Sequence, residues 1–152
     1  MQQLKCRNRK IWVAATPEEI VRQMWLTHLE AQGFPLPLIS VEKLVQRQEQ
    51  SLPLRRSDIL CFRRGSEGLH PLLLIECKAT RLTKKALHQA IGYNYTLQAP
   101  FLALANQNEI QFGWYSAEGW RFLNYLPSYL ELNANLQPQS PQRGEASLWA
   151  LW

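Results

Sequence analysis

Asp58 is the sole aspartate of the chain, and it opens the apolar run Ile59-Leu60-Cys61-Phe62. Eighteen positions later a second apolar run, Leu72-Leu73-Leu74-Ile75, has just ended in Glu76-Cys77-Lys78. Such a run normally continues into a core, where charge is excluded unless it is paired or bound to metal. In a strand, Glu76 and Lys78 stand two residues apart and therefore project to one face. With Asp58 on a neighbouring strand they make a two-carboxylate site with an amine beside it. Oxygen donors of this kind suit Mg²⁺ or Mn²⁺ and leave positions for water and phosphate oxygens. The chemistry implied is metal-assisted phosphodiester hydrolysis. Asp58 and Glu76 are the expected protein ligands, with the backbone carbonyl of Cys77 as a third candidate. Lys78 is placed to position or activate the attacking water or to stabilise the charged transition state. Glu-x-Lys alone also describes an exposed strand-end ion pair; Asp58 across a hairpin favours the chemical reading.

Two further groups bear on this constellation. Gln89 and Tyr93 are four apart on the next helical stretch and so share a helix face. They have the chemistry to contact phosphate or orient the lysine, although a partly buried polar pair on an amphipathic helix explains the same spacing. Glu18 and Glu19 stand at the start of an earlier helix. Glu19 suits a capping box with Thr16, and either glutamate is also a candidate additional metal ligand, with Arg22 one turn on as a pairing partner. His28, His70 and His88 match no metal-ligand spacing.

The elements that must position these residues can be read from local pattern. Residues 4–15 suggest an N-terminal strand or hairpin with Ile11, Trp12 and Val13 as its apolar part. Thr16-Pro17-Glu18-Glu19 reads as a cap, N1 proline and N3 glutamate, followed by helical periodicity through Leu29 and a stop at Gly33. Leu38 to Val45 reads as a strand and Gln46 to Pro53 as a turn. Ile59 to Phe62 and Leu72 to Ala79 read as a hairpin joined through Gly65 and Gly68, the second strand central and covered on both faces. A second helix runs from Thr83 to Ala99, stopping at Pro100. Phe101 to Ala105 is a strand, and residues 110–115 and 120–125 form a hairpin. The order implies a mixed central β-sheet flanked by helices, of α/β or α+β class. One domain over residues 1–132 is expected, with its core at about 16–125 and a flexible Pro/Gln/Ser-rich tail over 133–152.

Composition narrows the class. The chain has 152 residues, 46% of them hydrophobic, enough for one core. No apolar stretch is long enough to span a membrane and the basic N-terminus lacks an apolar secretion core, so a cytoplasmic protein is expected. Cys6, Cys61 and Cys77 fit no CxxC pattern and are expected as reduced, buried thiols. The net charge of +5 is concentrated near the candidate site. Arg55, Arg56, Arg81, Lys84 and Lys85 are the expected nucleic-acid contacts, since basic clusters attract polyanions.

With Asp58, Glu76-Cys77-Lys78 and Gln89-Ala90-Ile91-Gly92-Tyr93 assembled, the chain resembles a PD-(D/E)XK nuclease. More narrowly it resembles the N-terminal nuclease domain of type I restriction enzyme restriction subunits, over about Thr16 to Tyr125. The carriers are Thr16 to Gln23, Ile39 to Glu42, Arg56-Ser57-Asp58-Ile59, Leu74 to Ala79, Gln89 to Tyr93 and Leu104-Ala105-Asn106. The resemblance implies a restriction-endonuclease-like fold and Mg²⁺- or Mn²⁺-dependent DNA cleavage. It implies Asp58 and Glu76 on the metal, Lys78 catalytic, Gln89 and Tyr93 supporting the site, and Glu18 or Glu19 completing it. Ser57 stands where the superfamily's name has proline. Restriction subunits are far longer and carry a helicase motor, whereas this chain has no GxxxxGK[ST] loop. The expectation is a freestanding nuclease module that acts on DNA alone, as a homodimer, or with a helicase, methyltransferase or specificity subunit that supplies target selection. The alternative is a catalytically dormant nucleic-acid-binding or interaction module of the same fold.

Overall fold

A computed structural model describes residues 2–41, 44–45, 55–56 and 58–135, and the architecture given below concerns these. The N-terminal hairpin pairs β1 (Gln3–Lys5) with β2 (Trp12–Ala14). Its alternation differs from the expectation: Val13 packs toward the core while Ile11 and Trp12 are exposed, because a two-stranded ribbon has only one covered face. The hairpin is pinned to the body by the Arg7 N–H, which donates to Gln23 Oε1 (2.9 Å), and by Asn8 Nδ2, which donates to the Ile39 carbonyl (2.8 Å).

Helix α1 (Pro17–Ala31) starts as its sequence dictates, with the Thr16 hydroxyl accepting the Glu19 N–H and proline at the first position. It ends at Gly33, whose φ of +84° lets the Phe34 N–H reach back to the Leu29 carbonyl. Val21, Trp25, Leu26 and Leu29 form the buried stripe. A 3-10 turn (Leu36–Leu38) leads to β3 (Ile39–Val41), and β4 (Leu44–Val45) pairs with β5 (Arg55–Arg56). The expected single strand over 38–45 is thus a turn followed by two short strands. The expected turn over 46–53 lies outside the described residues.

The strands that matter most follow: β6 (Ile59–Gly65), β7 (Gly68–Cys77), β8 (Phe101–Ala105), β9 (Ile110–Ser116) and β10 (Gly119–Leu123). They form a six-stranded sheet in the order β10-β9-β8-β7-β6-β3. Only β7 and β8 are parallel, joined through α2 (Lys84–Leu97), so the sheet is mixed. Alternation divides the core. Ile59, Cys61, Leu73, Ile75, Ala103 and Phe112 pack with Val21, Trp25 and Leu29 of α1. Leu60, Leu74 and Leu102 pack with Ala90 and Tyr93 of α2. Leu72 to Ile75 are fully buried, as a central strand covered on both sides requires. Pro71 is tolerated inside β7 because the β6–β7 register shifts there, so its missing N–H falls at an irregularity.

Helix α2 is capped by the Thr83 hydroxyl and ends two residues before the expected Ala99. The Asn94 side chain holds Ala99 at both its N–H (3.0 Å) and its carbonyl (2.8 Å), and Gln98 turns left-handed at φ +57°. A short helix not expected from sequence, α3 (Tyr129–Ala134), is capped by Ser128 and packs the Tyr129 ring on Phe34. The tail expected from 133 begins inside α3, which runs to Ala134, and from 136 onward it lies outside the described residues. The architecture is α+β, a mixed sheet between flanking helices, consistent with the expected restriction-endonuclease-like fold.

One glycine is demanded by packing. A Cβ on Gly113 would lie 2.5 Å from the ring of Phe122 and 2.9 Å from the Arg121 carbonyl oxygen. Gly113→Ala is expected to lower stability by about 1–3 kcal/mol through overpacking. Gly92, in the middle of α2 with open space around it, is the matched control, and Gly92→Ala is expected to raise stability by up to ~1 kcal/mol. Thermal unfolding of both variants checks the register of β9 against β10; a neutral Gly113→Ala contradicts it.

Candidate active site

The end of the sheet at the C-terminus of β7 gathers the candidate residues. The β6–β7 register pairs Ile59 with Ile75. Continued by one residue, it sets Asp58 opposite Glu76. The link is explicit on the next residue, where the Cys77 N–H donates to Asp58 Oδ2 at 2.8 Å. Glu76 is 4% exposed and continues the alternation of Leu74, on the face that carries α2. Lys78, half-buried, extends the parallel pairing beyond β7, its N–H donating to the Ala105 carbonyl at 2.8 Å.

Asp58 has a second partner. Arg22 of α1 donates from Nη2 to Asp58 Oδ1 at 2.9 Å, the Arg22 side chain being 7% exposed and that of Asp58 20%. Arg22 also donates from Nη1 to Glu19 Oε1 at 2.8 Å. Arg9, in the N-terminal hairpin, joins the same Glu19 oxygen at 2.9 Å, while Gln23 donates to Glu19 Oε2 at 3.0 Å. Arg9 is itself oriented by its Nε–H donating to the Cys6 thiol at 3.1 Å. A chain of alternating charge thus runs Arg9–Glu19–Arg22–Asp58 from the hairpin to the sheet. Glu18 is exposed, and Glu19 is buried. Only half of the expected capping box forms: Thr16 caps the Glu19 N–H, but the Glu19 carboxylate is drawn to the two guanidiniums and Gln23, since a buried carboxylate needs charged or polar partners.

The remaining expected residues fall around this end. Arg81, Lys84 and Lys85 are all exposed, in the connection from β7 and the first turn of α2. Expectations on the Arg55 and Arg56 side chains lie outside what the structure describes. Gln89 is exposed, one turn nearer the start of α2 than Tyr93, which is 1% exposed and packs with Leu60, Leu74 and Leu102. Spacing that puts both on one side of the helix therefore sends one into the core and leaves the other at the surface. A groove of about 380 Å³ lies beside Lys78, between Ala79–Arg81 and Asn106–Glu109. Asn106 shapes it: Nδ2 donates to the Thr80 carbonyl (3.1 Å), and Oδ1 accepts the N–H groups of Asn108 and Glu109 (2.9 Å each). A groove of about 430 Å³ between the N-terminal hairpin and α1 contains none of the candidate carboxylates.

The donor set can be judged from these contacts. Among the described residues, no group of three or more His, Cys, Asp or Glu side chains is arranged to hold a metal ion. Two carboxylates and a carbonyl nevertheless fit Mg²⁺, which is typically held by one or two carboxylates and keeps several waters. Thiolate ligation by Cys61 or Cys77 is disfavoured. Cys6, Cys61 and Cys77 are free and buried; burial pushes the Cys61 thiol well up, and burial reinforced by the Asp58 carboxylate does the same for Cys77. Sequence reasoning missed Arg22 as the partner of Asp58, a pairing across 36 positions that leaves no local signal. It also missed Asn106 as the organiser of the groove. Among the described residues, no helix is long and apolar enough to cross a membrane.

A mixed sheet with flanking helices, with an aspartate bonded to the strand end that carries a glutamate and with a lysine just beyond, defines a nuclease-like α+β domain. Residues 17–127 match the family described as type I restriction enzyme R protein N terminus (HSDR_N), and the chain belongs to that family. No curated protein and no solved structure matches it.

Proposed function

We propose that this protein is a metal-dependent DNA nuclease of the PD-(D/E)XK type that hydrolyses phosphodiester bonds. The observation that supports the reading is the hydrogen bond from the Cys77 N–H to Asp58 Oδ2, which ties the only aspartate to the strand end that carries Glu76 and Lys78. Family membership supports it. Asp58 and Glu76, with the Cys77 carbonyl, would hold Mg²⁺ or Mn²⁺. A bound ion supplies Lewis acidity and lowers the pKa of a water. The protein's own groups do the rest. Lys78 orients the attacking water or offsets charge gathering on the phosphate oxygens. Exposed Arg81, Lys84 and Lys85, at the positive end of the α2 dipole, hold the phosphate backbone without reading sequence. Gln89, at the surface of α2, contacts a phosphate, and Tyr93 supports the strand beneath Glu76. Cleavage of both strands would use two such sites, brought together in a homodimer or a transient pairing, while a partner such as a helicase, methyltransferase or specificity subunit would supply target selection.

One observation favours a second reading, a dormant nucleic-acid-binding module of the same fold: one oxygen of Asp58 is already engaged by a buried arginine. Incubation with supercoiled, linear, single-stranded and branched DNA separates the two. Cleavage with Mg²⁺ or Mn²⁺ that EDTA abolishes is the expected result. Tight, salt-sensitive binding with no cleavage of any substrate would favour the dormant module.

A further inference from the structure

We propose that Arg22 is a positioning residue for Asp58, and that Glu19 acts on the candidate cation site through Arg22 rather than as a ligand. This rests on the metal-dependent reading above. The Arg22 and Glu19 side chains are 7% and 8% exposed, so neither guanidinium nor carboxylate is presented to a substrate. A buried charge must be paired, and Arg22 is paired twice, one terminal nitrogen on Glu19 and the other on Asp58. A planar fork can span two carboxylates in this way, whereas a lysine offers one point charge.

The geometry has two consequences. Asp58 is held from both sides, its Oδ1 by Arg22 and its Oδ2 by the Cys77 N–H, so its carboxylate is oriented before any cation arrives. Glu19, meanwhile, has both oxygens engaged by Arg9, Arg22 and Gln23. Its charge offsets that of Arg22, which leaves Asp58 able to attract a cation despite the neighbouring guanidinium. Glu19 is therefore electrostatically important to the site without touching the ion.

Calorimetric titration of the full chain with Mn²⁺ tests this by the sign of each change. Glu19→Gln leaves Arg22 uncompensated beside Asp58, and Mn²⁺ affinity is expected to fall by roughly 10-fold or more, the range for groups behind a metal ligand. Arg22→Gln removes the competing charge while its amide keeps a donor for Asp58, which the Cys77 N–H also still holds, and affinity is expected to rise. The double variant Glu19→Gln/Arg22→Gln removes one charge of each sign, and affinity is expected to return to within a few-fold of the wild type. Full rescue is not produced by a ligand: if Glu19 touched the ion, the double variant would still lack a donor and bind well below the wild type, and that result overturns the proposal. Equal affinity in all four proteins overturns the roles given to Arg22 and Glu19 and leaves the metal-dependent reading standing, whereas Mn²⁺ bound by none of them overturns that reading itself. Should Arg22→Gln fail to fold, the comparison of Glu19→Gln with the double variant, which buries no unpaired charge from this couple, carries the decision.

Discussion

Asp58→Ala, Glu76→Ala and Lys78→Ala are each expected to reduce metal-dependent DNA cleavage by roughly 10²–10³-fold or more while leaving DNA binding largely in place. The lower bound is the usual loss when one group that stabilises developing charge is removed from a reacting centre. Asp58 and Glu76 should lose more than Lys78, since without either carboxylate the cation itself is lost. A Mn²⁺ titration makes the distinction: Asp58→Asn is expected to bind no Mn²⁺, whereas Lys78→Ala still binds it. The folded state must be checked alongside. Asp58→Ala strips an acceptor from both Arg22 and the Cys77 N–H, and leaving such partners unsatisfied costs about 1–3 kcal/mol. Asp58→Asn keeps one oxygen for the Cys77 N–H and is the milder test. The phosphate contacts proposed for Arg81, Lys84 and Lys85 would not depend on these residues, so a filter-binding or anisotropy measurement should hardly change. Cleavage that survives Asp58→Asn with unchanged Mn²⁺ binding would remove the site from consideration.

Trp25→Ala is expected to destabilise the protein by about 3–5 kcal/mol, the range for truncating a buried aromatic ring. For a domain whose total stability is of order 5–15 kcal/mol this is a large fraction. Trp25 is 8% exposed in the α1-facing core, and its indole N–H donates to the Asn106 carbonyl at 2.8 Å. That bond ties α1 to the β8–β9 turn, and Asn106 in turn holds Thr80 and the N–H groups of Asn108 and Glu109. Trp25→Phe keeps much of the ring but leaves the Asn106 carbonyl without its donor, at a cost of about 1–3 kcal/mol. Equilibrium urea unfolding distinguishes the two. A loss below ~1 kcal/mol for Trp25→Ala would show that α1 does not rest on this turn. Because the same turn walls the groove beside Lys78, Trp25→Phe should also weaken DNA binding more than a substitution of equal cost elsewhere in the core.

Much of the fold was legible because its signals are local. Thr16-Pro17 and Thr83 announced two helix starts, Gly33 one helix end, and Gly65 and Gly68 the turn between the two strands that bring Asp58 to Glu76. Boundaries slipped where a side chain overrode propensity, as when Asn94 captured Ala99 and closed α2 early. The helix α3 escaped notice because it is short and depends on packing against Phe34. Gln89 and Tyr93 illustrate a subtler limit. Periodicity placed them on one side of α2, but only the packing of that helix on the sheet decided that Tyr93 is covered and Gln89 is not.

The sequence by itself determined the chemical inventory: one aspartate before an apolar strand, a Glu-x-Lys at the end of another, and basic residues close by. It also determined that these strands are neighbours, because a glycine turn between two alternating runs is a local instruction. The tertiary structure decided the partners. Arg22 meets Asp58 across 36 positions, and Trp25 meets Asn106 across 81. Glu19 was a cap, a ligand or an ion-pair partner as far as spacing could say. Its assignment to Arg9 and Arg22 required the N-terminal hairpin to fold over the start of α1 and bury the carboxylate. Contacts of this kind carry no periodicity, because they are chosen by which charged groups burial brings together and by the cost of leaving any of them unpaired.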